Sequence, residues 1–163
     1  MWYVIWTSTG SEKKVLEQIK NKTERSFIPY TIASKKIKGE WKSVLKPLFP
    51  GYLFADTEDI EGLATYLYKT DGFSTVLKSD KMYCPLSGSE ADLIENRYLE
   101  GGIFDVSKGY IQGDKITSIS GPLKDMEGFI RKINRHKRTA LIELELFGHP
   151  VSTLVGLEIV EKT

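Results

Sequence analysis

The chain has 163 residues, 40% of them hydrophobic and 28% charged, with a formal net charge of +1. That size holds one medium domain or two small ones, and the composition belongs to a folded protein rather than a disordered one. Leu48–Ala55, broken by Pro50 and Gly51, falls far short of the ~18 apolar residues of a membrane helix; the opening Met-Trp-Tyr-Val-Ile-Trp has neither a basic leader nor a cleavable apolar core, so no secretion signal is expected. Cys84 is alone, which excludes a disulfide or a cysteine-based zinc site within one chain. A cytoplasmic protein with no membrane partner is the simplest expectation.

In chain order, Trp2-Tyr3-Val4-Ile5-Trp6 is aromatic and β-branched on both faces, and predicts a central strand covered on both sides. Thr9-Gly-Ser-Glu12 has capping-box spacing, and Val15, Leu16 and Ile19 follow at helical intervals. A second helix is predicted over 58–69, with Ile60, Leu63, Ala64 and Leu67 on one face. A third is predicted over 88–98, opened by Ser87-Gly-Ser-Glu90. Strands are predicted over 28–34, 41–46, 52–56 and 74–78. The connections at Lys38-Gly39 and Pro50-Gly51 are too short for parallel crossovers, so the sheet is expected to be largely antiparallel and the class α+β.

Residues 101–110 read as a glycine-containing linker. Beyond it the helical period vanishes, and strands are predicted over 114–119, 128–134, 139–146, 150–155 and 158–161. Five short strands in so few residues predict a small closed β-barrel. The expected organisation is therefore an α+β domain over 1–100, a linker over 101–110 and a barrel domain over 111–163.

Three features bear on function. Phe49-Pro50-Gly51-Tyr52-Leu53-Phe54 is either a turn feeding a core strand, or a strand whose alternate aromatics stay outside and fill an apolar groove on a partner. The run Arg131, Lys132, Asn134, Arg135, His136, Lys137, Arg138 is plainly read as a solvated turn. Five cations in eight residues repel one another, however, which favours a polyanionic partner, and RNA in particular. Local density decides here, because phosphate attraction is screened beyond roughly 8–10 Å at physiological salt. Lys35, Lys36, Lys38, Lys42 and Lys46 form a second basic stretch, read as an exposed loop with at most weak DNA contact.

Catalytic and metal sites find no support. His136 and His149 have no cysteine or carboxylate set to complete a tetrahedron. Glu143 and Glu145 share a strand face and are read as solvating it or opposing the basic hairpin nearby, rather than as a paired general acid and base. There is no phosphate-binding glycine loop and no nucleophile elbow.

The opening Trp-Tyr strand and the Leu-Phe-Pro-Gly-Tyr-Leu-Phe segment at 48–54 resemble the N-terminal domain of the bacterial NusG family of transcription elongation factors, which includes RfaH and LoaP. Residues 113–128, with Gly113-Asp114 and Gly121-Pro122, look like the start of that family's KOW barrel, an SH3-like fold. Leu146-Phe147-Gly148 and Leu157-Glu158-Ile159-Val160 look like its later strands. The resemblance spans nearly the whole chain in the family's order. Ile-Asn-Arg-His-Lys-Arg at 133–138 is most similar to LoaP-type specialised paralogs. RfaH-like members refold the barrel as a helical hairpin; here Ile116, Thr117, Ile119, Ile130, Ile133, Ile142, Val151, Val155 and Val160 favour strands.

This resemblance implies a monomeric, non-enzymatic transcription elongation and antitermination factor that needs no cofactor. It implies docking of the first domain on RNA polymerase, at a coiled coil of the largest subunit, through Trp6, Phe49, Pro50, Tyr52 and Phe54. It implies contact of the barrel with nascent RNA, such as a structured leader, through Arg131, Lys132, Asn134, Arg135, His136, Lys137 and Arg138. An alternative it leaves open is a general factor whose barrel docks a ribosomal protein or Rho through Phe147, although His149 stands where arginine commonly follows. The positions matching the DNA-hairpin readers of RfaH are Ser8, Thr9 and Asp71, which are not basic.

Overall fold

A computed structural model describes residues 1–70, 74–93, 103–113, 115–146 and 149–162. These divide into two compact units. The first is Met1–Pro29, Phe49–Gly102 and Leu146–His149; the second is Tyr30–Leu48, Ile103–Glu145 and Pro150–Thr163.

In the first unit, β1 (Trp2–Trp6) lies inside a four-stranded sheet between β5 (Tyr52–Asp56) and β6 (Thr75–Val76), with β2 (Arg25–Phe27) beyond β5. Every pairing in this sheet is antiparallel. Trp2, Tyr3, Val4 and Ile5 are all buried, as a strand with two apolar faces requires. Helix α1 (Glu12–Ile19) buries Val15 and Ile19, and α2 (Ile60–Thr70) buries Leu63 and Leu67. A third helix, α3, covers Gly88–Leu93 and is opened by a reciprocal cap. The Ser87 N–H donates to Glu90 Oε1 at 2.9 Å, and the Glu90 N–H donates to Ser87 Oγ at 3.3 Å. The remainder of the predicted 88–98 helix lies outside the described residues. At α1 the expected box does not form: Ser11, not Thr9, precedes the helix, and the Glu12 carboxylate accepts from the Gly10 N–H. A two-stranded ribbon, β7 (Lys78–Ser79) with β8 (Met82–Tyr83), completes the unit.

The Pro50-Gly51 corner is a tight turn, closed by the Tyr52 N–H donating to Phe49 O at 3.0 Å. Gly51 has φ +87°, and a Cβ there would stand 2.8 Å from the Thr7 carbonyl oxygen, so only glycine fits.

In the second unit, β3 (Tyr30–Ile37) and β4 (Glu40–Pro47) form a long antiparallel hairpin, and β3 also pairs in parallel with β9 (Ile103–Phe104). A five-stranded sheet runs in the order β11 (Lys115–Ser120), β10 (Ser107–Gln112), β14 (His149–Lys162), β13 (Thr139–Leu146), β12 (Ile130–Asn134). A short 3-10 turn, Glu127–Phe129, leads into β12. The core of this unit includes Phe104, Leu123, Met126, Ala140, Ile142, Leu144, Val155 and Leu157. The α+β class and the small five-stranded module are as expected, and its strands show the β form rather than a helical hairpin.

Three expectations need correction. The segment 101–110 is not a linker where it is described: 103–104 and 107–110 are strand, and Phe104 is 1% exposed. The strands predicted over 150–155 and 158–161 are one, β14, and the fifth strand is β10. Gly156 sits inside β14, where a Cβ would meet Val106 Cγ2 at 2.9 Å and Ile32 O at 3.0 Å, so the position takes glycine. Finally, residues 30–48 cluster with the second unit rather than with the rest of 1–100. Two buried hydroxyls reinforce this: Thr31 Oγ1 donates to Phe104 O at 2.8 Å, and Thr153 Oγ1 donates to Leu48 O.

Candidate nucleic-acid interface

The basic run forms the turn between β12 and β13, paired through Asn134 opposite Thr139 and Ile133 opposite Ala140. Asn134 shapes the turn itself, its Oδ1 accepting from the Lys137 N–H at 2.9 Å. The Arg138 N–H donates to Arg135 O at 3.3 Å, and Arg138 O accepts from the Leu157 N–H at 3.0 Å. Arg138 has φ +55°, a left-handed conformation uncommon for arginine, so its backbone is set by closing the turn. Arg135, His136 and Lys137 are exposed at the tip, whereas Arg138 is half-buried.

The expected RNA-contact residues therefore divide by role. Arg131 falls at a register shift between Ile130 and Lys132. Its Nη1 donates to Gly128 O at 2.7 Å, and its Nε lies 3.9 Å from Glu143 Oε1. Arg131 is thus engaged within its own module, and Glu143 opposes the basic hairpin, the second of its two expected roles. Lys132 is exposed. Among the described residues, Arg135, Lys137 and Arg138 make no ion pair.

The second basic stretch is not the loop expected. Lys38 is in the turn, but Lys35 and Lys36 lie in β3 and Lys42 and Lys46 in β4, with Lys36 opposite Trp41 and Lys35 opposite Lys42. Like charges directly opposite each other cost stability unless a counter-charge is present. The Arg138 guanidinium carbon lies 4.2 Å from the Trp41 ring centroid, which is cation–π geometry. The hairpin and the barrel turn together line one groove of about 870 Å³. Trp41, Val44 and Ala33 supply its apolar part; Lys35, Lys36 and Lys46 face Arg135, Lys137 and Arg138 around it. Sequence reasoning missed this site, although a tryptophan beside a lysine-rich hairpin tip was a visible signal.

The expected polymerase-docking residues are split by burial. Phe49 and Phe54 are 1% and 0% exposed, sealed within the first unit, which corrects any outward reading of their rings. Phe54 packs between Phe27, at 5.6 Å, and Phe49, at 6.3 Å between ring centroids. Phe54 is sealed because β5 is an inner strand, whereas Phe49 lies before the Pro50-Gly51 turn and is buried where it packs on Phe54. Trp6 is 43% exposed, Pro50 is exposed and Tyr52 is half-buried; Trp6 and Tyr52 are directly opposite each other. Phe147 lies outside the described residues, and the His149 side chain is likewise not described.

Asp56 anchors the other end of the same strand pair. It accepts from Arg25 Nη2 at 2.9 Å and Nε at 3.1 Å, and from the Met1 ammonium at 2.8 Å. Burial pushes its carboxyl up, but these hydrogen bonds outweigh burial and hold it below the ordinary carboxylate value. Among the described residues no group of three His, Cys, Asp or Glu is placed to hold a metal. No described helix is long and apolar enough to cross a membrane.

Comparison with known proteins agrees with this architecture. The family model described as "Transcription termination factor nusG" matches residues 1–95. The chain is 27% identical to the transcription termination/antitermination protein NusG of Thermus thermophilus, over 90% of this chain and 90% of that protein. It is 26% identical to the NusG of Pseudomonas aeruginosa, over 96% of this chain and 94% of that protein. Among solved structures, one titled "Domain interaction in Thermotoga maritima NusG" matches with a TM-score of 0.55 at 22% identity, covering 98% of this chain and 97% of that one, and shows a shared fold.

Proposed function

Because the chain belongs to the NusG family of transcription termination/antitermination factors, we propose that it acts as a specialised, LoaP-like member that docks on RNA polymerase through its first unit and holds nascent RNA through its second. The observation that carries the RNA reading is the β12–β13 turn, where Arg135, Lys137 and Arg138 make no ion pair among the described residues. Cations left unpaired at a tight turn favour phosphate, whose binding is driven by release of condensed counterions. The docking reading rests on Trp6, Pro50 and Tyr52, the members of the expected set that reach the surface. Two weak attachments in one chain act at high effective concentration, so neither needs to be tight.

The test is binding of the full chain to leader RNA across a salt series. Neutralising three to five phosphates gives a slope of log affinity against log salt of roughly −2 to −4. A salt-indifferent affinity, or one unchanged in Arg135→Ala/Lys137→Ala/Arg138→Ala, refutes the RNA role of this turn.

A further inference from the structure

We propose that the groove between the β3–β4 hairpin and the β12–β13 turn is a composite site for single-stranded RNA, in which lysines of the first hairpin share the phosphates with arginines of the second and Trp41 stacks an unpaired base. The inference rests on the RNA reading above, and goes beyond it by assigning Lys35, Lys36, Lys46 and Trp41 to the same site.

Three observations carry it. First, cations from distant stretches of sequence face one groove of about 870 Å³, a size usual for a ligand site. Among the described residues Lys35, Lys36 and Lys46, which line it, form no ion pair. A polyanion in the groove supplies the counter-charge they lack. Second, the wall is not purely charged. Trp41 keeps 36% of its surface exposed between the lysines, with Arg138 already stacked on its ring at 4.2 Å. An exposed indole beside cations is the pairing that single strands use, because each unpaired base offers a π-face while the backbone offers phosphates. A duplex hides its bases and gains nothing from Trp41. Third, the groove is built rather than incidental. Parallel pairing of β3 with β9 and the buried Thr31–Phe104 and Thr153–Leu48 hydrogen bonds tie the hairpin into the same unit as the turn.

The experiment uses the full chain and a mixed-sequence single-stranded RNA oligonucleotide, with the same RNA annealed to its complement as the second probe. Affinities are measured across a salt series, and circular dichroism checks each variant's fold. For Lys35→Ala/Lys36→Ala we expect about tenfold weaker binding and a salt slope shallower by about 1–1.5, as for two lost phosphate contacts. For Trp41→Ala we expect about tenfold weaker binding with the slope unchanged, since stacking releases no counterions. Trp41→Phe, which keeps a smaller ring in place, falls between Trp41→Ala and the parent chain. The parent chain prefers the single strand to the duplex, and Trp41→Ala erases that preference.

The arms separate the two readings. If Arg135→Ala/Lys137→Ala/Arg138→Ala abolishes binding while the Lys35/Lys36 and Trp41 variants bind like the parent, the turn works alone and the composite site is refuted. A parent chain that holds duplex as tightly as single strand, indifferent to Trp41, also overturns it. If the triple variant binds RNA normally, the reading beneath it fails too.

Discussion

The Arg138 guanidinium stacks 4.2 Å from the Trp41 ring centroid, so the last residue of the barrel turn holds an aromatic side chain of the β3–β4 hairpin. Arg138 is placed for this by closing its own turn onto Arg135 O and by accepting from the Leu157 N–H through its carbonyl. Arg138→Lys keeps the charge but loses the planar cation that lies over the ring. Acrylamide should then quench tryptophan emission more strongly, while the salt slope for RNA stays as in the parent because the charge is conserved. A variant with unchanged quenching would show that the stack does not shield the indole.

Exposure decides what each aromatic of the first unit does. Trp6 and Tyr52 are paired across β1 and β5 and reach the surface, whereas Phe54 is fully buried. Truncating a surface aromatic anchor costs about 2 kcal/mol of binding, which is roughly thirtyfold. On the proposed docking, Trp6→Ala and Tyr52→Ala should weaken polymerase binding on that scale and leave the melting temperature nearly unchanged. Phe54→Ala should cost about 3–5 kcal/mol of stability. Pull-down with purified polymerase, set beside thermal melts, separates the two classes.

Gly51 is the residue that lets Pro50 turn back toward β1. At φ +87°, with the Thr7 carbonyl oxygen 2.8 Å from where a Cβ would sit, Gly51→Ala meets both backbone strain and a clash with main chain. The left-handed conformation alone costs roughly 1–2 kcal/mol. The urea midpoint should fall by the equivalent of about 2 kcal/mol or more, with an unchanged denaturant slope.

The Asp56 carboxylate gives the first unit an acid limit. Its folded-state pKa lies below the ordinary value, because hydrogen bonds from the Met1 ammonium and Arg25 outweigh the upward push of burial. The stability it contributes is therefore fully present above the unfolded carboxylate pKa, near 4. It is lost as pH falls through the lower folded value. Asp56→Asn should destabilise the protein at neutral pH by about 2 kcal/mol and flatten the fall in melting temperature between about pH 5 and pH 3. An equally steep fall in Asp56→Asn would assign the acid transition to other carboxylates.

Local pattern was enough for much of this protein. Two-faced apolarity made Trp2–Trp6 an inner strand, the Ser87–Glu90 spacing produced a reciprocal cap, and Pro50-Gly51 encoded a tight corner; each depends on neighbours a few residues away. The basic turn was equally visible, since its five cations fall within eight residues of sequence. What local pattern could not supply was which strands cover which. Alternation at 49–54 says nothing about burial until β5 is known to lie between β1 and β2; only then is Phe54 inside, with Phe49 packed on it from across the turn. The same holds for the split predicted between 150–155 and 158–161, where Gly156 instead lets Val106 and the Ile32 carbonyl approach a continuous β14. The meeting of Trp41 with Arg138 was likewise beyond sequence. It depends on β3 pairing with β9, a hydrogen-bonded ladder between segments far apart in the chain, whose register no local periodicity encodes.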